Sequence, residues 1–199
     1  MRRALCLIAI ALASQLAIAS GPPPTPEPPA GVGGVGTIAM PNEPGERLRI
    51  TGQVFAPDGV TPVGDAIVYA YQTDSTGHYE NDPQTKIARL HCWAKTDSQG
   101  RFEFQTIRPG PYPGRDIPAH VHFHVWGGGY PLQWTNDLLF AGDPLIKAAD
   151  LEESKANGRF GNVSTLTAGP GGARRCTINF RLRKQTNYPP GYDTDPRVR

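Results

Sequence analysis

The chain has 199 residues, enough for one domain with its own core, and its 38% apolar content with 23 glycines and 21 prolines favours turn-rich β structure over helices. Its 20 basic and 18 acidic residues give a formal charge of +2, and the balance becomes 18 against 18 once Arg2 and Arg3 depart with a leader. Such an even balance gives no sign of an electrostatic partner such as nucleic acid.

Residues 1–19 combine Arg2 and Arg3 with an apolar run over 4–13 and end in Ala17-Ile18-Ala19. This is the pattern of a secretory signal peptide cut near Ala19. It is too short and wrongly flanked for a membrane span, so the protein is expected to be secreted or periplasmic. Cys6 leaves with the leader, and Cys92 and Cys176 remain on separate predicted strands. In an oxidising compartment a disulfide between them and a pair of buried free thiols both stay open. Residues 20–45 contain G-P-P-P-T-P-E-P-P-A and then a glycine stretch over 31–36, which reads as a tether carrying no core.

The folded unit is expected over 46–184, followed by a polar tail over 185–199. Leu48, Ile50, Val54 and Phe55 mark a first strand, interrupted by Gly52 and closed by the Pro57-Asp58-Gly59 turn. Strands follow at 66–72 and 88–95, and at 101–107, where R-F-E-F-Q-T-I alternates cleanly. The two T-D-S-x-G segments, at 73–77 and 96–100, are hairpin-turn chemistry rather than a duplicated domain. A strand over 118–126 ends at three glycines, and 132–140 gives another. Residues 145–156 are the one helical stretch, with Leu145, Ala148, Ala149 and Leu151 as an apolar stripe and Asn157-Gly158 as its stop. Strands at 163–166 and 176–182 complete an all-β fold, a β-sandwich with one short helix and long loops.

Residues 108–124 read R-P-G-P-Y-P-G-R-D-I-P-A-H-V-H-F-H. Side chains alternate along a strand, so His120, His122 and His124 share one face while Val121, Phe123 and Val125 share the other. Pro109, Pro111 and Pro113 stiffen the loop before it, and Gly110 and Gly114 supply its joints, so Tyr112 is held in place. Tyr79 follows another turn and supplies a second phenol. Two phenolates and two neutral imidazoles, from Tyr79, Tyr112, His120 and His122, form a hard donor set that suits trivalent iron better than zinc or copper(I). His124 reads as a core neighbour of that set, and His78 and His91 as surface or packing residues. A cupin-style site would want a carboxylate where Val125-Trp126 stands.

These motifs resemble the intradiol ring-cleaving dioxygenases, the family of protocatechuate and catechol dioxygenases. The resemblance spans 48–182 and rests on Gly52-Gln53-Val54 with Pro62-Val63, Tyr71-Gln72-Thr73-Asp74 to Gly77-His78-Tyr79, and Thr96-Asp97 to Gly100-Arg101-Phe102. It continues through Thr106 to Pro113, Pro118-Ala119-His120-Val121-His122-Phe123, and Phe140-Ala141-Gly142-Asp143-Pro144-Leu145. It implies a non-haem Fe(III) held by Tyr79, Tyr112, His120 and His122, with a catechol and O2 as substrates. It also implies that Tyr112 leaves the metal to act as a base, and that the ring opens between its hydroxyl-bearing carbons to a cis,cis-muconate-type diacid.

Three features depart from the family pattern and bear on substrate choice and turnover. Ile117 stands where many members carry an arginine, with Arg115 two residues away. Asp137 falls where many carry a glutamine. The loop between Tyr112 and His120 is short. The competing expectation is a non-enzymatic secreted β-sandwich, a binding or adhesion module, which would share the first strand and the T-D-x-x-G-x-F-x-F hairpin but have no use for the four metal donors.

Overall fold

Alternation along the strands sets the architecture. In the segment R-F-E-F-Q-T-I, Phe102, Phe104 and Thr106 are buried while Arg101 and Gln105 face solvent. The computed structural model describes residues 25–187, so the expected signal peptide, the start of the tether and the last twelve residues of the tail lie outside the described residues.

Eleven strands are described: β1 Val35–Thr37, β2 Arg47–Phe55, β3 Ala66–Gln72, β4 Leu90–Lys95, β5 Arg101–Ile107 and β6 His120–Gly127, then β7 Tyr130–Trp134, β8 Leu138–Phe140, β9 Val163–Ser164, β10 Thr167–Ala168 and β11 Arg174–Arg181. One sheet has the order β1-β5-β2-β11-β10; the other has β4-β3-β6-β8-β9, with β7 also paired to β6. The two sheets form the expected sandwich.

Its core is made by the inward faces of both sheets. Phe123 of β6 meets Phe104 of β5 and Phe180 of β11, with ring centroids 6.2 and 5.1 Å apart. Each buried phenylalanine contributes about 1.5–3 kcal/mol. Strand β6 is also covered on its second face. There the register sets His122 beside Tyr71 and His124 beside Tyr69, and these tyrosines lie beside His91 and Trp93 of β4. An aromatic layer therefore backs the histidine face, and β6 is buried from His120 to Trp126.

Several sequence expectations change. Order begins before Glu46: β1 pairs in parallel with β5, and Ile38 and Ala39 are buried, so the glycine stretch supplies an edge strand as well as a tether. The Pro-rich stretch also makes contacts. Pro26 O accepts the Trp93 indole N–H at 3.1 Å, and Thr25 Oγ1 hydrogen-bonds His124 Nδ1. The strand expected over 132–140 is split into β7 and β8. The helix α1, Ala148–Ala156, starts later than expected, and Leu151 in its apolar stripe is 45% exposed. It docks instead through buried Ser154, whose Oγ accepts the Val163 N–H at 2.9 Å. Cys92 and Cys176 lie in opposite sheets and are both free thiols; burial pushes Cys176 up to about 12. No helix among the described residues is long and apolar enough to cross a membrane.

Candidate metal centre

Two loops at one end of the sandwich carry the phenols, and buried polar contacts tie them together at their roots. Gln72, at the end of β3, is fully buried. Its amide donates to Thr73 O at 3.1 Å and to Ile107 O at 3.0 Å, and it accepts the Thr106 hydroxyl at 2.8 Å. A buried amide is tolerated when it is satisfied in this way, and the result is a fixed spacing between the ends of β3 and β5. Beyond that clamp, Thr73 Oγ1 donates to Gly110 O and the Gly110 N–H donates to Asp74 O, both at 2.8 Å.

Glycine is required where the loops cross. Gly77 has φ +90°, and a Cβ there would lie 2.0 Å from Pro111 O; a Cβ on Gly110 would lie 2.7 Å from Gly77 N. No side chain fits between the two backbones, and this close approach brings Tyr79 against Tyr112. Gly77→Ala is therefore expected to destabilise the fold by about 1–3 kcal/mol through left-handed backbone strain alone. It should also separate the phenols, read as a lowered thermal midpoint together with weakened uptake of any ion the four donors hold. Wild-type values for both would show that the loops do not need this contact.

Strand β6 supplies the imidazoles. Asp143, 8% exposed, accepts the Ala119 N–H at 3.0 Å and the Leu145 N–H at 2.9 Å, and so fixes the backbone one residue before His120. His120 Nδ1 lies 2.7 Å from Pro118 O, and His122 Nδ1 lies 2.7 Å from Asp137 Oδ1. Both partners are acceptors, so each Nδ1 is the donor to its partner and each ring turns its Nε2 toward the cluster.

All four donors then meet. The two Nε2 atoms are 3.0 Å apart; Tyr112 Oη lies 3.0 Å from His120 Nε2 and 3.2 Å from His122 Nε2. Tyr79 Oη lies 2.8 Å from His122 Nε2 and in a very short contact with Tyr112 Oη. Four electron-rich atoms crowd one point, and two imidazole lone pairs turned toward each other at 3.0 Å repel. A single small cation bound to all four relieves that crowding, so the donor set fits a metal ion.

The electrostatics favour a strong Lewis acid. Burial raises the Tyr79 phenol far above its ordinary range, reinforced by its hydrogen bond with Tyr112. Burial also raises Tyr112, although the Tyr79 hydrogen bond opposes it. His120 is lowered, first by burial and then by the neighbouring His122, which keeps its ring neutral. His120, His122 and Asp137 also have ligand atoms within 4.8 Å of one another, a second possible triad. Asp137, however, occupies the Nδ1 side of His122, opposite the Nε2 that faces the cluster, so it cannot share an ion with that nitrogen.

The four residues singled out in the sequence are thus together. His124 is fully buried among Tyr69, Tyr71 and Trp134 and lies outside the cluster, while His91 packs on Trp93. A cavity of about 230 Å³ opens on the centre, walled by Tyr69, Tyr71, Ile87 and Trp134, with Lys86 at its edge. Sequence reasoning missed the roles of Gln72, Asp143 and the aromatic wall. Gln72 and Asp143 lie inside the family motifs, and Tyr69 and Tyr71 are spaced two apart, the period of a strand face. Asp137 is marked by sequence only as a departure, with no sign that it touches His122.

Fold and donor cluster together define a β-sandwich with a candidate metal centre at one end. The family described as Dioxygenase matches residues 33–184. The protocatechuate 3,4-dioxygenase alpha chain of Burkholderia cepacia is 30% identical over 158 residues, covering 75% of this chain and 77% of that one. The beta chain from the same organism is 32% identical over 115 residues, 51% of this chain and 48% of the relative. Among solved structures, the dioxygenase domain of a dioxygenase–carbohydrate-binding protein fusion from Streptomyces sp. SirexAA-E superposes with a TM-score of 0.59 at 25% identity, covering 82% of this chain and 94% of that one. The chain belongs to the intradiol ring-cleavage dioxygenase family. It spans about half the length of several of the curated relatives it matches, 48% for the beta chain.

Proposed function

We propose that this protein opens catechol-type aromatic rings with O2 between the two hydroxyl-bearing carbons, giving a cis,cis-muconate-type diacid, with a non-haem Fe(III) held by Tyr79, Tyr112, His120 and His122. The observation that carries this reading is the convergence of two phenol oxygens and two imidazole Nε2 atoms on one point beside an aromatic cavity. When bound, the ferric ion supplies Lewis acidity toward the catechol oxygens and a path for the ring's electrons to O2.

The remaining work falls to the chain. Tyr71, Tyr69 and Trp134 form an aromatic wall against which one flat ring can lie. His120 and His122 are fixed on a strand buried on both faces, so they hold position through turnover. In this reading Tyr112 is the donor that leaves and returns, accepting a proton from a catechol hydroxyl at Oη. The Arg115 guanidinium, 5.9 Å over the Tyr112 ring, favours the phenolate that this role needs. All electrons come from the ring, so one O2 is consumed per catechol and both oxygen atoms enter the diacid. Export, from the leader-like residues 1–19, belongs to the same reading.

The test is spectroscopic and then kinetic. Protein supplied with ferric ion is expected to absorb visible light through tyrosinate-to-iron charge transfer, and Tyr112→Phe to shift that band. Catechols should perturb the band and drive O2 uptake with no added reductant. A colourless, iron-free protein after supplementation would instead favour a secreted binding module, and a need for reductant would indicate a different class of oxygenase.

A further inference from the structure

The two imidazoles of the cluster are backed differently. His120 gives its Nδ1–H to the neutral carbonyl of Pro118, while His122 gives its Nδ1–H to the carboxylate of Asp137, each at 2.7 Å. We propose that Asp137 is a positioning residue for this centre: its carboxylate fixes His122 in the Nδ1–H tautomer, aims Nε2 at the donor cluster and makes His122 the stronger electron donor of the two imidazoles. The electron-donor half of this statement rests on the ferric reading above; the tautomer half does not.

The surroundings of Asp137 are built for the task. Its backbone carbonyl accepts the Asn162 amide at 2.9 Å, and Asn162 O in turn accepts the Leu139 N–H at 2.8 Å. The next residue, Leu138, pairs with Val121 in the β6–β8 ladder, one position from each histidine. The Asp137 backbone is therefore anchored by the Asn162 side chain and by the adjoining β8 ladder rather than left on a free loop. Its outer side opens on a polar cleft of about 380 Å³ lined by Asn136, Asp150, Glu153 and Arg183, and its side chain is 33% exposed. Water can solvate one carboxylate edge there while the other edge stays on the imidazole. A hydrogen bond to an anionic acceptor is roughly twice as strong as a neutral one and pushes electron density through the ring toward Nε2. Pro118 O cannot do the same for His120. The ligand set thus has a built-in asymmetry between two residues that sequence treats as equivalent.

Two substitutions separate the effects. Asp137→Asn keeps an acceptor for Nδ1–H and removes the charge; Asp137→Leu removes both. In the iron-free protein, nitrogen-15 correlation spectra of the imidazoles are expected to show the Nδ1–H tautomer of His122 in wild type and Asp137→Asn, and a mixed population in Asp137→Leu. In the iron-loaded protein, ferric affinity measured by chelator competition should fall about tenfold in Asp137→Asn and about a hundredfold in Asp137→Leu. The charge-transfer band should move to longer wavelength in both, because a poorer imidazole donor leaves the metal more electrophilic. A merely structural role would lower the thermal midpoint without moving the band. The proposal is overturned by an unchanged tautomer in Asp137→Leu, or by wild-type affinity and band position in Asp137→Asn. A wild-type protein that takes up no ferric ion would overturn the ferric reading and the electron-donor half with it, while the tautomer measurement would still decide the positioning half.

Discussion

Exchanging Tyr79 for phenylalanine is expected to abolish tight ferric binding and ring cleavage while leaving the fold intact. Its hydroxyl makes the shortest contacts of the cluster, to Tyr112 Oη and His122 Nε2, and its ring packs against Tyr71 at 6.1 Å. Phenylalanine keeps that ring contact and removes only the oxygen. Loss of an outer partner of a metal ligand costs about 10–100-fold in affinity, so loss of a ligand itself should exceed the upper end of that range. Removing one donor also relieves crowding among the remaining three. The thermal midpoint of the iron-free variant should therefore match or exceed that of wild type, the trade-off expected where a site is held together against its own repulsion. Iron content after gel filtration, visible absorption, O2 uptake and thermal melting of the iron-free protein read these outcomes together. Retention of stoichiometric iron and colour by Tyr79→Phe would falsify the assignment of Tyr79 as a ligand. A collapsed fold would mean that its hydroxyl serves structure first.

Tyr112 lies on the loop ordered through Gly110, beside a guanidinium, and its proposed role is to leave and return. Tyr79 lies deeper in electrostatic terms, with its phenol raised farthest from its ordinary range, so it is the phenol least able to exist as a free anion. Two chemically identical side chains thus take different parts because Arg115 lies over the Tyr112 ring while Tyr79 is the more strongly desolvated phenol.

Local patterns made the sandwich and its donors readable. The H-x-H alternation of β6, the glycine and proline spacing before it and the clean alternation of β5 are short-range signals, and the structure follows each of them. The features that escaped depend on partners distant in the chain. Strand β1 was hidden because a three-residue glycine-rich strand has no apolar period of its own and exists by pairing with Glu103, Phe104 and Gln105. The helix stripe misled because α1 docks through one serine hydroxyl rather than an apolar face. The split between β7 and β8 follows from two strands competing for the same edge of β6: β7 pairs near His124 and β8 near His120. Asp137 lies in the connection between them. Its contact with His122, fifteen residues earlier, arises from that split, and no local spacing announces it.

Ferric uptake is expected to release two protons per ion near neutral pH, and its apparent affinity to climb about a hundredfold per pH unit over that range. Both phenols are raised above the ordinary tyrosine value of about 10, so both are protonated in the iron-free protein at pH 7 and must lose those protons to bind. His120 is shifted the other way, lowered by burial, so it is already neutral and contributes no proton there. Each released proton gives a tenfold gain per pH unit, and two give the square of that. The measurement is a titration of weakly buffered protein with a ferric chelate, followed by a pH indicator and corrected for the protons exchanged by the chelator. Tyr112→Phe should release one proton, and its affinity should climb only tenfold per unit. The same sign governs the iron-free fold: a phenol raised by folding contributes stability that is present below the ordinary tyrosine value and is lost as pH rises beyond it. Thermal midpoints of iron-free protein should accordingly fall above about pH 10. Release of one proton or none by the wild-type protein would mean that at least one phenol stays protonated beside the metal, and the two-phenolate centre would then be the wrong description of this site.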